Sequence, residues 1–252
     1  MIKVLISGCN GHMGQVVARM CEESRNMEVV GGFDLMGTGS GDFPVWSSPS
    51  QCTVEADAVI DFSSPAALDS LLDFGRECGI PLILCTTGYS AAQVEQISEA
   101  SSSVPIFRSA NMSLGINVLS ALVTRASAML DGFDVEIVER HHNRKVDAPS
   151  GTALMLADAA AKGLPYEPTP VYERQSVRRP RDRHEIGISS VRGGNIVGDH
   201  EVIFAGPNEV IELKHSAMSR EVFASGAVKA AAFMRHKAPG LYSMGDLVSD
   251  IL

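Results

Sequence analysis

A β-branched run, Ile2-Lys3-Val4-Leu5-Ile6, stops at Ser7-Gly8-Cys9-Asn10-Gly11-His12-Met13-Gly14, and an apolar stripe at helical spacing (Val16, Val17, Met20, Cys21) takes over. Strand, glycine turn and helix in that order leave few folds open, because a buried strand feeding a helix leads into a parallel sheet. Gly8 permits the tight turn, Gly11 lets backbone approach a pyrophosphate, and Gly14 allows close helix packing. Unpaired N–H groups at the start of the helix would face that pyrophosphate. The next strand, Glu28 to Phe33, ends at Asp34, where a carboxylate can grip ribose hydroxyls. Leu35 and Met36 follow, so no adjacent cation is available for a 2′-phosphate, and a carboxylate repels one. Dinucleotide binding is therefore expected, with NADH favoured and NADPH accepted more weakly.

The alternation continues. Thr38 to Gln51, rich in Gly, Ser and Pro, reads as a loop; Ala58 to Phe62, Pro81 to Cys85 and Val104 to Phe107 read as strands. Between them Ser63-Ser64-Pro65 opens one helix with Pro near its first position, and Ser90 caps another running to Ala100. In a parallel sheet ligands gather beyond the carboxyl ends of the strands. Cys85, Thr86 and Thr87, and likewise Ser109, Ala110, Asn111 and Met112, fall at such ends. Thr86, Thr87 and Asn111 could touch a nicotinamide and its ribose or could simply cap helices.

A long helix, Ser113 to Leu130, carries Leu114, Val118, Leu122 and Met129 on one face and is placed as the hinge into a second domain. There Asp134 to Glu139 reads as a strand, followed by His141, His142, Arg144 and Lys145 and a turn at Ala148-Pro149. Ser150 is a plausible N-cap for an alanine-rich helix through Lys162, opened by Gly151 and Thr152. Cations at a strand end facing helix amides make a place for an anion, and a dicarboxylate suits it. Ile186 to Val191, Ile196 to Phe204 and Glu209 to His215 read as antiparallel strands, and helix returns from Arg220.

Composition removes several classes. In 252 residues, 30 acidic side chains against 21 basic give a net charge of −9, which argues against nucleic acid as a partner. The basic stretch Arg174 to Arg183, broken by Pro180 and Asp182, reads as a mobile surface loop. Five cysteines with no C-x-x-C pair suggest reduced thiols rather than a disulfide framework. Neither a signal peptide nor a membrane span is expected. A zinc site on His141 and His142 lacks further ligands nearby, so no metal is expected.

The segment H-H-x-x-K-x-D-x-P-S-G-T-A, from His141 to Ala153 and preceded by E-I-V-E, closely resembles the signature of the dihydrodipicolinate reductase family. Arg192 to His200 is similar to its R-x-G-x-I-V-G-x-H, and the likeness runs over nearly the whole chain. Three positions depart from the family pattern: His12 where a cation is usual, Cys85 where glycine precedes T-T-G, and Met112 where an aromatic follows A-N. The resemblance implies an α/β fold, with a Rossmann-like parallel-sheet domain over 1–112 completed by 221–252. It also implies an α+β domain over 113–220, with a mixed, mainly antiparallel sheet, for substrate and oligomerisation. It implies NAD(P)H-dependent reduction of a heterocyclic dicarboxylate to tetrahydrodipicolinate on the diaminopimelate route to lysine, by a cytoplasmic homotetramer. His141 matches the family's proton-donating histidine. Lys145 matches a second catalytic position, stabilising charge or supplying a proton, and His142, Ser150, Gly151 and Thr152 match substrate-binding positions. Gly8, Cys9, Asn10, Gly11, His12, Met13, Asp34, Cys85, Thr86, Thr87 and Ser109 to Met112 match cofactor-binding positions. The competing readings are another two-domain Rossmann oxidoreductase, such as an aspartate-semialdehyde dehydrogenase, which needs a nucleophilic cysteine in its site, or a homoserine dehydrogenase, and a non-catalytic NAD sensor, which would leave His141, His142, Lys145 and Ser150 unexplained.

Overall fold

Contacts in a computed structural model, which describes residues 1–39 and 42–251, divide the chain into two units: Met1–Met112 with Glu221–Leu252, and Ser113–Arg220. The first unit runs β1 (Ile2–Ser7), α1 (His12–Glu23), β2 (Met27–Phe33), β3 (Val45–Trp46), β4 (Ala58–Asp61), α2 (Leu68–Cys78), β5 (Leu82–Leu84), α3 (Ala91–Ala100) and β6 (Pro105–Arg108). β4 and β5 are buried throughout and purely parallel-paired, which is why they read as continuous apolar runs rather than as alternation. Pro65 opens a single 3-10 turn ahead of α2. α3 begins with a capping box, Gln93 N–H donating to Ser90 Oγ at 3.2 Å and Ser90 N–H to Gln93 Oε1 at 3.0 Å. The loop expected over Thr38–Gln51 carries β3 and a 3-10 turn at Pro49–Gln51, while its residues 40 and 41 lie outside the described residues.

The second unit comprises α4 (Leu114–Met129), β7 (Asp134–His141), α5 (Gly151–Gly163), β8 (Thr169–Val171), β9 (Glu185–Arg192), β10 (Gly198–Ala205) and β11 (Val210–Ala217). Its sheet has the order β11-β10-β7-β9-β8. Two departures from expectation arise here. β7 extends to His141, so His141 belongs to the strand and not to the loop after it. β10 pairs antiparallel with β7 and β11, but β9, read from sequence as antiparallel, pairs parallel with both β7 and β8, so the sheet is mixed. The chain reaches β9 from β7 by way of α5, a crossover that returns the strand in the same direction. α4 turns Ile116, Leu119 and Val123 into the core; Val118, Leu122 and Met129, on the face singled out from sequence, are exposed.

The basic stretch is anchored to the strands beside it. Arg174 pairs with Glu136 and Glu185, each at 2.6 Å, Arg179 with Glu185 at 2.6 Å, and Arg181 with Asp134 at 2.8 Å. These acids lie at the start of β7 and β9, so the arginines neutralise the sheet end opposite His141.

The chain then re-enters the first unit through α6 (Glu221–Met234), β12 (Gly240–Tyr242) and α7 (Met244–Ile251). β12 joins the edge of an all-parallel sheet ordered β12-β6-β5-β4-β1-β2-β3, an element the sequence reading did not separate from the C-terminal helix. Gly226 lets α6 approach the Met112 carbonyl, which a Cβ would strike.

Candidate functional site

In the first unit the strand order reverses between β1 and β4, the crevice where open α/β sheets bind ligands. A cleft of about 390 Å³ opens there, lined by Gly8, Gly11, Asp34 and Ser63 among others. Gly8 adopts φ +75°, and a Cβ on it would lie 2.7 Å from the Phe62 carbonyl oxygen; a Cβ on Gly14 would strike the Gly8 carbonyl. The glycines thus keep open a cradle that side chains would fill. Asp34 accepts the Asn10 N–H at 3.3 Å and the Met36 N–H at 3.4 Å, which ties the glycine loop to the end of β2. Asn10 Nδ2 donates to the Thr38 carbonyl at 2.7 Å. No lysine or arginine lines the cleft among the described residues. These residues fit a dinucleotide.

The other expected cofactor positions divide. His12 and Met13 begin α1 beside the cradle. Cys9 is buried against Gly32, its thiol pushed up to about 11 by burial and by the Asp34 charge, so only its backbone faces outward chemistry. Cys85, Thr86 and Thr87 follow β5, and Ser109, Ala110, Asn111 and Met112 follow β6, two and three strands along from β1. At roughly 4.8 Å per strand this row spans about 14 Å beyond the carboxyl ends. Burial, then the nearby Asp61 carboxylate, drives the Cys85 thiol well above its ordinary value, which disqualifies it as a ready nucleophile. Met112 is buried as packing.

In the second unit β7 alternates strictly, turning Val135, Ile137, Glu139 and His141 onto the buried face. Hydrophobic pairing fills the first two positions; the last two are polar and need partners. Register supplies them: His200 on β10 lies opposite Glu139, and Arg192 on β9 opposite His141. Glu139, fully buried, accepts His141 Nδ1–H at 2.6 Å and Arg192 Nη1–H at 2.8 Å on Oε2. Its Oε1 accepts Arg192 Nη2–H at 2.7 Å and the Ser150 N–H at 3.1 Å. Burial pushes this carboxyl up, but the hydrogen bonds from Arg192, His141 and Ser190 outweigh it and bring it to about 2. Because the ionised carboxylate only accepts, the His141 proton is assigned to Nδ1, and Nε2 sits beside Gly198, where a Cβ would come within 3.1 Å.

Ser150 caps α5 as expected, its Oγ accepting the Ala153 N–H at 3.2 Å, and it lies 3.1 Å from His200 Nε2. The His200 ring meets the His141 ring edge to face at 5.1 Å, and burial, then the His141 charge, lowers His200 to about 4, which keeps it neutral at pH 7. His142 is likewise pushed down, by partial burial and then by the charges of Arg144 and Arg220. Lys145 reaches back to Asp147 at 2.8 Å in the loop whose Ala148–Pro149 peptide is cis. Gly151 is exposed at the first turn of α5, with open space where a Cβ would stand. His141, Ser150 and the start of α5 are therefore brought together, with His142 and Lys145 on the adjoining loop. Sequence reasoning met Glu139, Arg192 and His200 only as members of family motifs and gave them no role in the site. The available signal was the period-two pattern, which puts a carboxylate and an imidazole on a core face.

The two units together define a class, an NAD(P)-dependent oxidoreductase, with a glycine-rich cleft at the strand-order reversal of one unit and imidazoles beside a helix start in the other. Family profiles agree, that for the N-terminal part of dihydrodipicolinate reductase matching residues 2–112 and that for its C-terminal part residues 115–248. The 4-hydroxy-tetrahydrodipicolinate reductase of Caldanaerobacter subterraneus is 54% identical over 98% of each chain. That of Clostridium tetani is 49% identical over 97% of this chain and 96% of its own. Among solved structures, a dipicolinate-bound dihydrodipicolinate reductase from Paenisporosarcina sp. TG-14 matches with a TM-score of 0.81 at 25% identity, over 96% of this chain and 97% of that one. The chain belongs to the dihydrodipicolinate reductase family.

Proposed function

We propose that the protein reduces the ring of a hydroxy- or dihydrodipicolinate to tetrahydrodipicolinate, on the diaminopimelate route to lysine. The observation that carries this reading is the clustering of His141, Ser150 and the start of α5 around buried Glu139, in a chain sharing 54% identity with a named reductase. A bound reduced nicotinamide supplies the hydride. What the chain must add is one proton and a grip on two carboxylates. The first turn of α5, with Gly151 and Thr152, offers N–H groups and the positive end of the helix to one carboxylate. Lys145 and His142 offer donors to the ring and its second carboxylate. Asp147, 58% exposed, holds Lys145 at 2.8 Å, a pair weak enough for an incoming carboxylate to displace. His141, held through Nδ1–H by Glu139, acts in its imidazolium form, giving the second proton, on Nε2, to the electron-rich enamine left when hydride has added to the conjugated ring.

Asp34 and the cation-free cleft support NADH over NADPH. The exposed apolar residues Val118, Leu122 and Met129 on α4, and the edge strand β11, support a homotetramer built on the second unit. Five free thiols support a reducing, cytoplasmic setting. No helix of the described residues is long and apolar enough to cross a membrane. The test is the loss of nicotinamide absorbance when NADH meets freshly made substrate. Turnover in the wild type and its loss in His141→Gln, with NADH affinity kept, is expected; undiminished turnover in that variant would overturn the assignment.

A further inference from the structure

We infer that Glu139 is a positioning residue for His141, and that its sharing between Arg192 and His141 sets how tightly His141 holds the proton it delivers. The inference rests on the reading of His141 as the proton donor.

Three observations carry it. The carboxylate is held from three elements at once: its own strand β7, Arg192 on β9 and the Ser150 amide that starts α5. Both oxygens are fully engaged, so the Glu139 side chain has one orientation, and with it the His141 ring plane is fixed against the helix end proposed for a substrate carboxylate. The second observation is tautomeric. An acceptor-only group 2.6 Å from Nδ1 puts the proton there and leaves Nε2 as the atom that exchanges protons with substrate. The third is charge. Arg192, with two contacts of 2.7 and 2.8 Å, sets a cation on the same carboxylate that accepts His141 Nδ1–H, so the Glu139 charge is shared between the two.

The remaining groups around the ring are few. β10 contributes His200, neutral and edge-on, with Asp199 beside it, and β11 contributes His215 in register with His200. The following loop contributes His142, Arg144, Lys145 and its partner Asp147, and Arg220 acts on His142 from the end of the unit. Glu139 and Arg192 are the charged pair nearest the ring, so removing one or the other should move the acid in opposite directions. A merely structural pair would lower activity without moving a pH limb.

The experiment uses the full-length enzyme with 15N-labelled histidine. In the wild type, above the pH at which the rings lose their charge, His141 should resonate as the Nδ1–H tautomer. In Glu139→Gln the amide can donate as well as accept, so a mixed tautomer should appear. Its kcat should fall about 10- to 100-fold, less than the roughly 10²- to 10⁴-fold that general acid–base catalysis itself contributes, because the acid is displaced and not removed. The alkaline limb of its kcat–pH profile should move to lower pH, and Glu139→Asp should restore part of the loss. In Arg192→Met that limb should move to higher pH. An Nε2–H tautomer in the wild type, or limbs that stay in place in both variants, would overturn the inference. Should Arg192→Met fail to fold, the wild-type tautomer and the Glu139→Gln limb decide it. A His141→Gln enzyme with normal kcat would instead sink the proton-donor reading while leaving the tautomer result standing.

Discussion

Removing the Asp34 carboxylate isolates the cofactor half of the account from the chemistry. The side chain sits at the end of β2 on the wall of the 390 Å³ cleft, and its oxygens already accept the Asn10 and Met36 amides at 3.3 and 3.4 Å. Those bonds are long, so lone pairs remain for two ribose hydroxyls. Hydrogen bonds to a charged acceptor are worth roughly 1.5–3 kcal/mol each, but the diol loses its water partners on binding. A net loss of about 2–3 kcal/mol in Asp34→Ala converts to about 30- to 150-fold in the KM for NADH. NADPH should respond differently, because the carboxylate that repels its 2′-phosphate has gone, so its KM should hold or improve. Steady-state kcat/KM for both nucleotides, with the dicarboxylate saturating, reads the ratio, and calorimetric NADH binding checks that the change is in affinity. The NADH to NADPH preference should fall by at least tenfold with kcat little changed. A ratio that stays constant would refute the placement of the ribose at Asp34.

Other outcomes follow from the second unit. His141→Gln should lower kcat by about 10²- to 10⁴-fold with the dissociation constant for NADH unchanged, read by pre-steady-state turnover and direct titration. Lys145→Ala should raise the KM for the dicarboxylate and also lower kcat, separating it from a purely catalytic loss. Acid should weaken the fold through Glu139, whose folded value of about 2 lies below its ordinary 4.5. A depressed carboxyl stabilises the folded state above its unfolded value and loses that contribution as pH falls through the folded one, here between about 4.5 and 2. The linkage amounts to on the order of 3 kcal/mol at neutral pH. Urea midpoints measured at pH 7 and pH 3 should therefore differ less in Glu139→Gln than in the wild type; an equal difference would show that the buried carboxylate does not govern the acid limb.

How far the sequence led depended on whether a feature was local. Ser90 and Ser150 were legible as N-caps because a cap is a relation between residues three apart, and both accept the amides expected of them. The parallel sheet was legible because fully buried strands leave unbroken apolar runs. β3, only two residues long, and β12, three, leave too little pattern to see. The α4 stripe misled because both helix faces are apolar, and only tertiary packing selects Ile116, Leu119 and Val123 for the core. The parallel pairing of β9 depends on the α5 crossover, which strand periodicity does not encode. In the candidate site, His141, Lys145 and Ser150 lie close in sequence and are legible as one segment. Glu139, Arg192 and His200 act together only through register across three strands, so their partnership emerges with the fold.

On the proposed function, the basic loop after β7 and the start of α5 hold a planar dicarboxylate within reach of His141. A crystal of the enzyme with dipicolinate and NADH tests it most directly. One carboxylate should sit on the amides of Gly151 and Thr152, with His142 and Lys145 donating to the other side of the ring and Asp147 displaced from Lys145. A ring bound away from residues 141–152, with Lys145 still on Asp147 and the α5 amides facing water, would contradict it.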